Sequence, residues 1–225
     1  SRGDDTLSHR LSTGGGEYPV SCSKTPGNHT MKKENTTREN NPVRIQTPLD
    51  KGVCLSLRAG DMVLLSGEVY TARDAAHRRM YEALKKGFAL PIDLTTATLF
   101  YAAPSPAPPG RVIGSIGPTT SYRMDAFTPE FIEHGLKGMI GKGGRSPKVV
   151  QAIRRYKAVY FGAIGGIAAL TARCVKNVEL VAYEDLGPEA IRKLTVIDLP
   201  LVVINDSKGN DLYLSEQGRW RILSK

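Results

Sequence analysis

The run from Met62 to Tyr70, MVLLSGEVY, reads as a β-strand and passes at Thr71 straight into a helical period that lasts to about Lys86. A strand feeding a helix without an intervening loop points away from all-α and all-β folds and toward α/β. Within the helical stretch Ala76, Met80, Ala83 and Leu84 recur at helical spacing and are assigned to the core face. Thr71 and Asp74 have the spacing of a capping box at its start, and Gly87 ends it.

The same alternation continues on both sides. Val43 to Ile45 and Val53 to Leu57 show the two-residue period of half-buried strands, and Arg111 to Ile116 reads as a strand leading into a Gly117-Pro118 turn. Thr128-Pro129-Glu130 and Ser146-Pro147 each carry the proline-at-first-position signature of a helix start. Met139-Ile140 is a short apolar step, Ala158 to Phe161 is a strand, and Ile164 to Thr171 is a helix of small residues. Val178 to Tyr183 and Leu201 to Asn205 are later strands, the second closed by a turn at Asp206 to Asn210. The glycines between Gly162 and Gly166 read first as close-packing positions.

Residues 1–42 are rich in Gly, Ser, Thr, Asn and Lys and have almost no apolar period, so they are expected to be a disordered tail or extension, with the folded domain at 43–225. Met31 is a candidate natural start, which makes residues 1–30 an upstream extension. No apolar run reaches the roughly 20 residues of a membrane helix, and the expectation is a soluble, cytoplasmic protein without a membrane partner. Cys22, Cys54 and Cys174 are odd in number and lack CxxC spacing, which favours free thiols over a disulfide framework or a metal site within the chain. A net charge of +9 invites a nucleic-acid reading, but no helix-turn-helix, RNP or zinc-finger pattern accompanies it.

Three segments concentrate the chemistry: TARD at 71–74, GPTTSYRMD at 117–125 and GKGGRS at 141–146. Each pairs a cationic side chain with glycines or hydroxyls, a combination suited to a small anion. Arg73 follows a strand at a helix start, where free N–H groups favour anions, although Thr71 and Asp74 capping the helix with Arg73 in solvent is an equally simple reading. His77, Arg78 and Arg79 are read as a solvated face. Thr119 and Thr120 sit in a proline-stiffened turn with Arg123 and Asp125 just beyond. A threonine becomes a base only beside positive charge, which Arg73, Arg123 and Lys142 are able to supply. GKGG lacks full Walker spacing, so ATP is disfavoured, while Lys142 on a glycine loop suits a carboxylate. Each segment alone also reads as an ordinary turn.

In this order TARDAAHRRM, GPTTSYRMD, GKGGRS, AYEDLG and NDSKGNDLY resemble the beta subunit of class I fumarate hydratase and L-tartrate dehydratase, over about Leu55 to Tyr213. The resemblance implies a swivelling β/β/α domain with a mixed sheet and reversible hydration of fumarate to L-malate. It implies an alpha subunit that holds a 4Fe-4S cluster as Lewis acid and supplies the acid of the reaction, within a higher-order hetero-oligomer. Carried over by motif, Arg73, Arg123 and Lys142 bind a small dicarboxylate and Thr119 handles the C3 proton. Asp74, Thr120 and Asp125 support them, the two aspartates as structural residues or as orienters of the arginines. L-tartrate or a mesaconate-type substrate stays open, as does, from a different class, a non-catalytic module binding anions or nucleic acid.

Overall fold

The computed structural model describes residues 41–164 and 166–220, the last three without their side chains. Its central element is β2 (Met62–Thr71), which pairs in parallel with β1 (Val43–Gln46) along its first half and with β3 (Thr98–Phe100) at its end. From β3 the parallel ladder continues through β4 (Gly138–Gly141) to β5 (Val159–Ala163). The long β7 (Ile191–Asn205) then runs antiparallel to β5, to β2 and to β6 (Val175–Ala182). Since β7 touches both β5 and β2, the ladder β2-β3-β4-β5-β7 returns on itself and leaves β1 and β6 outside the ring.

Adjacent residues on the short parallel strands belong to opposite cores, as the two-residue pleat requires. Phe100, Ile140 and Phe161 join Val63, Leu65, Val69, Leu194, Val196, Leu201 and Val203 inside the ring. Their neighbours Leu99, Met139 and Tyr160 face the other way, onto Ala76 and Met80 of α2 (Asp74–Lys85), Phe131 and Ile132 of α3 (Thr128–Glu133) and Val149 and Ile153 of α4 (Pro147–Tyr156). Strands β3, β4 and β5 are therefore buried on both faces. Two sheet layers enclosing one core and a helix layer over the second give the mixed α/β, β/β/α arrangement expected. Gly162 is a packing glycine, because a Cβ there would approach Ile204 to 2.8 Å.

Several local expectations are corrected. Val53 to Leu57 is no strand: α1 (Lys51–Ser56) occupies it, nucleated by Asp50, whose side chain accepts from Val53 N–H at 2.7 Å. Cys54 and Leu57 face the ring core while Leu55 is exposed, so a single helical turn mimicked a two-residue period. Arg111 to Ile116 is irregular rather than extended, for Pro108, Pro109 and Gly110 precede it and Gly114 interrupts it, and β3 is a three-residue strand too short to show a period. The small-residue helix α5 lies at Ala168–Cys174, later than expected, and α6 spans Leu212–Trp220. The tail expected at residues 1–42 falls almost entirely outside the described residues, as does Cys22.

The start of α2 is also built differently. Thr71 does not cap it: its hydroxyl is buried and serves β7, accepting from Arg192 N–H at 3.0 Å. The helix N–H of Ala75 is capped instead by the Glu189 carboxylate at 3.0 Å, from the 3-10 turn Glu184–Glu189.

Candidate anion-binding site at the carboxyl ends of the parallel strands

Parallel strands share a direction, so β2, β3 and β4 end at one edge of the sheet and deliver Arg73, Tyr101 and Lys142 there in turn. The segment Gly117–Thr120 lies across these ends. Pro118 bridges antiparallel to Ala102, and Thr120 bridges parallel to Lys142. Thr119 is stitched on both sides, donating its N–H to Tyr101 C=O at 2.7 Å and accepting Lys142 N–H at 3.2 Å. Its half-buried hydroxyl has no hydrogen-bond partner among the described residues. A fixed backbone with an unengaged hydroxyl is the arrangement a reactive or ligand-binding threonine needs.

Arg123 stands in the 3-10 turn Ser121–Met124 that follows. Its Nε forms an ion pair with Asp74 Oδ1 at 2.8 Å, and Asp74 Oδ2 lies 3.8 Å from Arg73 Nη2. One carboxylate on the first residue of α2 thus gathers two guanidinium groups that the sequence separates widely. Arg73 has a second acid, Glu189, at 3.6 Å, and both of its acidic partners lie beyond hydrogen-bond reach. Arg73 Nε is buried without an acceptor. Donors held partly out of water and left unsatisfied by the protein fit an incoming anion better than a finished structural ion pair. Lys142 is exposed and its ammonium has no ion-pair partner among the described residues.

Arg73, Asp74 and Arg123 therefore form one ion-paired group, and Thr119, Thr120 and Lys142 a second group joined through the backbone, both where the parallel strands end. Asp125 does not join them as an orienter of Arg73 or Arg123. It accepts from Arg145 Nε at 2.7 Å and from Ser146 N–H at 2.5 Å, so it fixes a third arginine and the start of α4. Arg145 has no exposed side-chain surface, and nothing in the residue order GGRS marks it as buried. His77 departs further from expectation: it is fully buried against Tyr101, Phe127 and Phe131, and its Nδ1 lies 3.0 Å from Arg73 C=O. With a carbonyl there, Nδ1 carries the proton, and Nε2 is left buried without a partner. The apolar surroundings hold the imidazole neutral, with its pKa lowered to about 4.

Asp74→Asn removes the shared charge and serves as a check on the cluster. The ion pairs are partly exposed, so stability is expected to change by less than about 1 kcal/mol. Affinity for a small anion, titrated with dicarboxylates, is expected to fall by about tenfold as the two guanidinium groups lose their common anchor. A dissociation constant unchanged within error removes Asp74 from the site.

Gly141 explains why the loop after β4 can approach Thr119. A Cβ on Gly141 would overlap Ser121 Oγ and come within 3.0 Å of the Tyr101 ring. Gly141→Ala is therefore expected to cost about 1–3 kcal/mol in urea unfolding, as overpacking does.

Among the described residues no group of three or more His, Cys, Asp or Glu side chains is placed to hold a metal ion. Cys54 is buried, with its thiol pKa raised to about 11 by burial, and Cys174 lies apart, so the described part of this chain does not fit an iron-sulfur cluster as its holder. No described helix is long and apolar enough to cross a membrane. A cleft of about 440 Å³ opens between residues 108–115 and α5, and none of the cluster residues lines it.

A family model described as the fumarase C-terminus matches residues 16–216. Fumarate hydratase 2 of Leishmania major is 38% identical over 175 residues, covering 76% of this chain and 31% of that protein. The putative L(+)-tartrate dehydratase subunit beta of Methanocaldococcus jannaschii is 42% identical over 163 residues, 70% of this chain and 84% of that one. The L(+)-tartrate dehydratase subunit beta of Escherichia coli is 37% identical over 173 residues, 75% and 85% respectively. The chain thus spans about a third of the fumarate hydratases it matches and most of the tartrate dehydratase beta subunits.

Proposed function

The chain belongs to the fumarase C-terminus family, and from that premise we propose that it is the carboxylate-binding half of a hydro-lyase that hydrates fumarate reversibly to L-malate. The observation that carries the reading is the Asp74 carboxylate shared by Arg73 and Arg123, at the strand ends that also deliver a threonine whose backbone is fixed and whose hydroxyl has no partner among the described residues. Arg73 and Arg123 offer planar forks and Lys142 a mobile point charge, which together suit the two carboxylates of a four-carbon diacid. In the dehydration direction Thr119 Oγ takes the C3 proton, and the three cations stabilise both its alkoxide and the negative charge that develops on the adjacent carboxylate. At an effective dielectric of about 20, one cation about 4 Å away contributes about 4 kcal/mol to such an anion. Thr120 keeps Lys142 in place through its backbone bridge.

The partner in this proposal is an alpha subunit carrying a 4Fe-4S cluster, whose Lewis acidity would assist the hydroxyl at C2, within a larger hetero-oligomer. Support for a separate partner comes from the coverage: the chain fills most of two proteins named as beta subunits and only a third of fumarate hydratase 2. The same coverage favours a second reading, dehydration of L-tartrate, in which the extra hydroxyl of the substrate meets the same cationic cradle. The deciding experiment compares initial rates on fumarate, L-malate and L-tartrate with the alpha subunit present. Turnover of none of the three by an assembled, cluster-loaded complex overturns both readings, and steep salt-dependent binding to RNA or DNA instead favours a non-catalytic basic module.

A further inference from the structure

We propose that Arg145, acting through Tyr160, is a positioning residue that holds Thr119 and Lys142 in register with each other. Its guanidinium is spread over four groups: Nε donates to Asp125 at 2.7 Å, Nη2 to Thr128 Oγ1 at 2.9 Å and Nη1 to Tyr101 Oη at 3.4 Å, while Met139 Sδ lies 3.9 Å from Nη1. It also lies over two aromatic rings, 4.9 Å from the centre of Tyr160 and 5.3 Å from that of Tyr101. Each ring reaches the cluster. Tyr101 supplies the carbonyl that receives Thr119 N–H, and Tyr160 Oη lies 2.8 Å from Ser121 Oγ and donates to Gly143 C=O, also at 2.8 Å.

The two loops that bear Thr119 and Lys142 are thus tied, two residues beyond Thr119 and one beyond Lys142, to a single hydroxyl on a ring packed against the buried arginine. A fully desolvated charge is a costly way to fill a core, because hydrophobic residues of similar volume pack there at least as well. What the guanidinium adds is direction, since its planar fork fixes Asp125, Thr128 and Tyr101 at set angles. The loops of the site are therefore braced by a buried polar node that is separate from the site's own cations.

The kinetic part of the test rests on the dicarboxylate reading above; the exchange part does not. Amide hydrogen exchange of the full chain is compared between wild type, Arg145→Lys and Tyr160→Phe. In Tyr160→Phe, which keeps the ring and removes both tyrosine hydrogen bonds, Thr119, Ser121 and Lys142 amides are expected to exchange about tenfold faster, with β7 amides unchanged. Arg145→Lys is expected to do the same and, in the assembled enzyme, to lower kcat by about 100-fold with KM within about threefold, the pattern of misplaced rather than missing groups. If Arg145→Lys does not fold, Tyr160→Phe decides alone. Unchanged exchange at the three amides in folded Tyr160→Phe, or an equal rise throughout the chain, overturns the proposal. A wild-type complex inert toward every dicarboxylate sinks the proposed function instead and leaves the exchange result to judge the positioning.

Discussion

Thr119→Ala in the complex assembled with the alpha subunit is expected to lower kcat on L-malate by about 10²–10⁴-fold, the range typical of losing a positioned proton-transfer group. The fold has little reason to respond. Thr119 is held by its backbone, through Tyr101 C=O and Lys142 N–H, and alanine makes both bonds equally well. Its hydroxyl, having no partner among the described residues, leaves no polar group orphaned when removed. Complex formation and the urea midpoint should therefore match wild type, and KM should move little because the carboxylates are gripped by other side chains. Thr119→Ser retains the hydroxyl and is expected to recover part of the rate. Near-normal kcat in the alanine variant would falsify the assignment of Thr119 to the proton, while a lost complex would place its role in assembly.

Acid is expected to unfold this protein through His77. In the folded chain its pKa is lowered to about 4, chiefly by burial and further by the nearby Arg145 charge, against the 6.5 of a free imidazole. Between those two values the unfolded chain binds a proton that the folded chain does not accept, so stability falls as pH falls. The contribution is fully present above about pH 6.5, declines by up to about 1.4 kcal/mol per pH unit below it, and totals about 3 kcal/mol by pH 4. Asp74 and the Arg73 carbonyl oppose the shift, yet neither relieves Nε2, which would carry the new charge into an apolar space. His77→Phe fits the aromatic surroundings and leaves the helix bond from residue 77 N–H to Arg73 C=O in place. Urea unfolding between pH 4 and 7 should show the acid slope in wild type and lose most of it in this variant. Equal slopes in the two would mean that His77 is solvated and protonates freely.

His77 Nδ1 lies 3.0 Å from Arg73 C=O, and Thr119 donates its N–H to Tyr101 C=O at 2.7 Å. A buried neutral imidazole next to Arg73 C=O adds no positive charge there. Arg78, expected on a solvated face with His77 and Arg79, is exposed. Arg79 reaches Asp185 in a two-pronged ion pair at 2.7 and 2.8 Å. Only the histidine of the three turned inward, because it stands four residues from Arg73 and three from Met80 on the core face of α2.

Local pattern was enough to establish the alternation of strands and helices, the proline-marked starts of α3 and α4, the stop at Gly87 and the membership of three cationic segments in one family. These are properties of neighbouring residues, and period, caps and turn chemistry act within a few positions. Where a segment was too short for a period to be unambiguous, as at Lys51–Ser56, or broken by proline and glycine, as at Arg111–Ile116, that reading failed. The partners of the charges were decided only by tertiary structure: Asp74 between Arg73 and Arg123, Glu189 at the start of α2, and Asp125 on a buried Arg145. Such pairings depend on parallel strands ending at one edge and on a crossing loop that brings distant residues within a few ångströms. No periodicity along the chain records which acid will stand opposite which base, because that choice is made by packing in three dimensions.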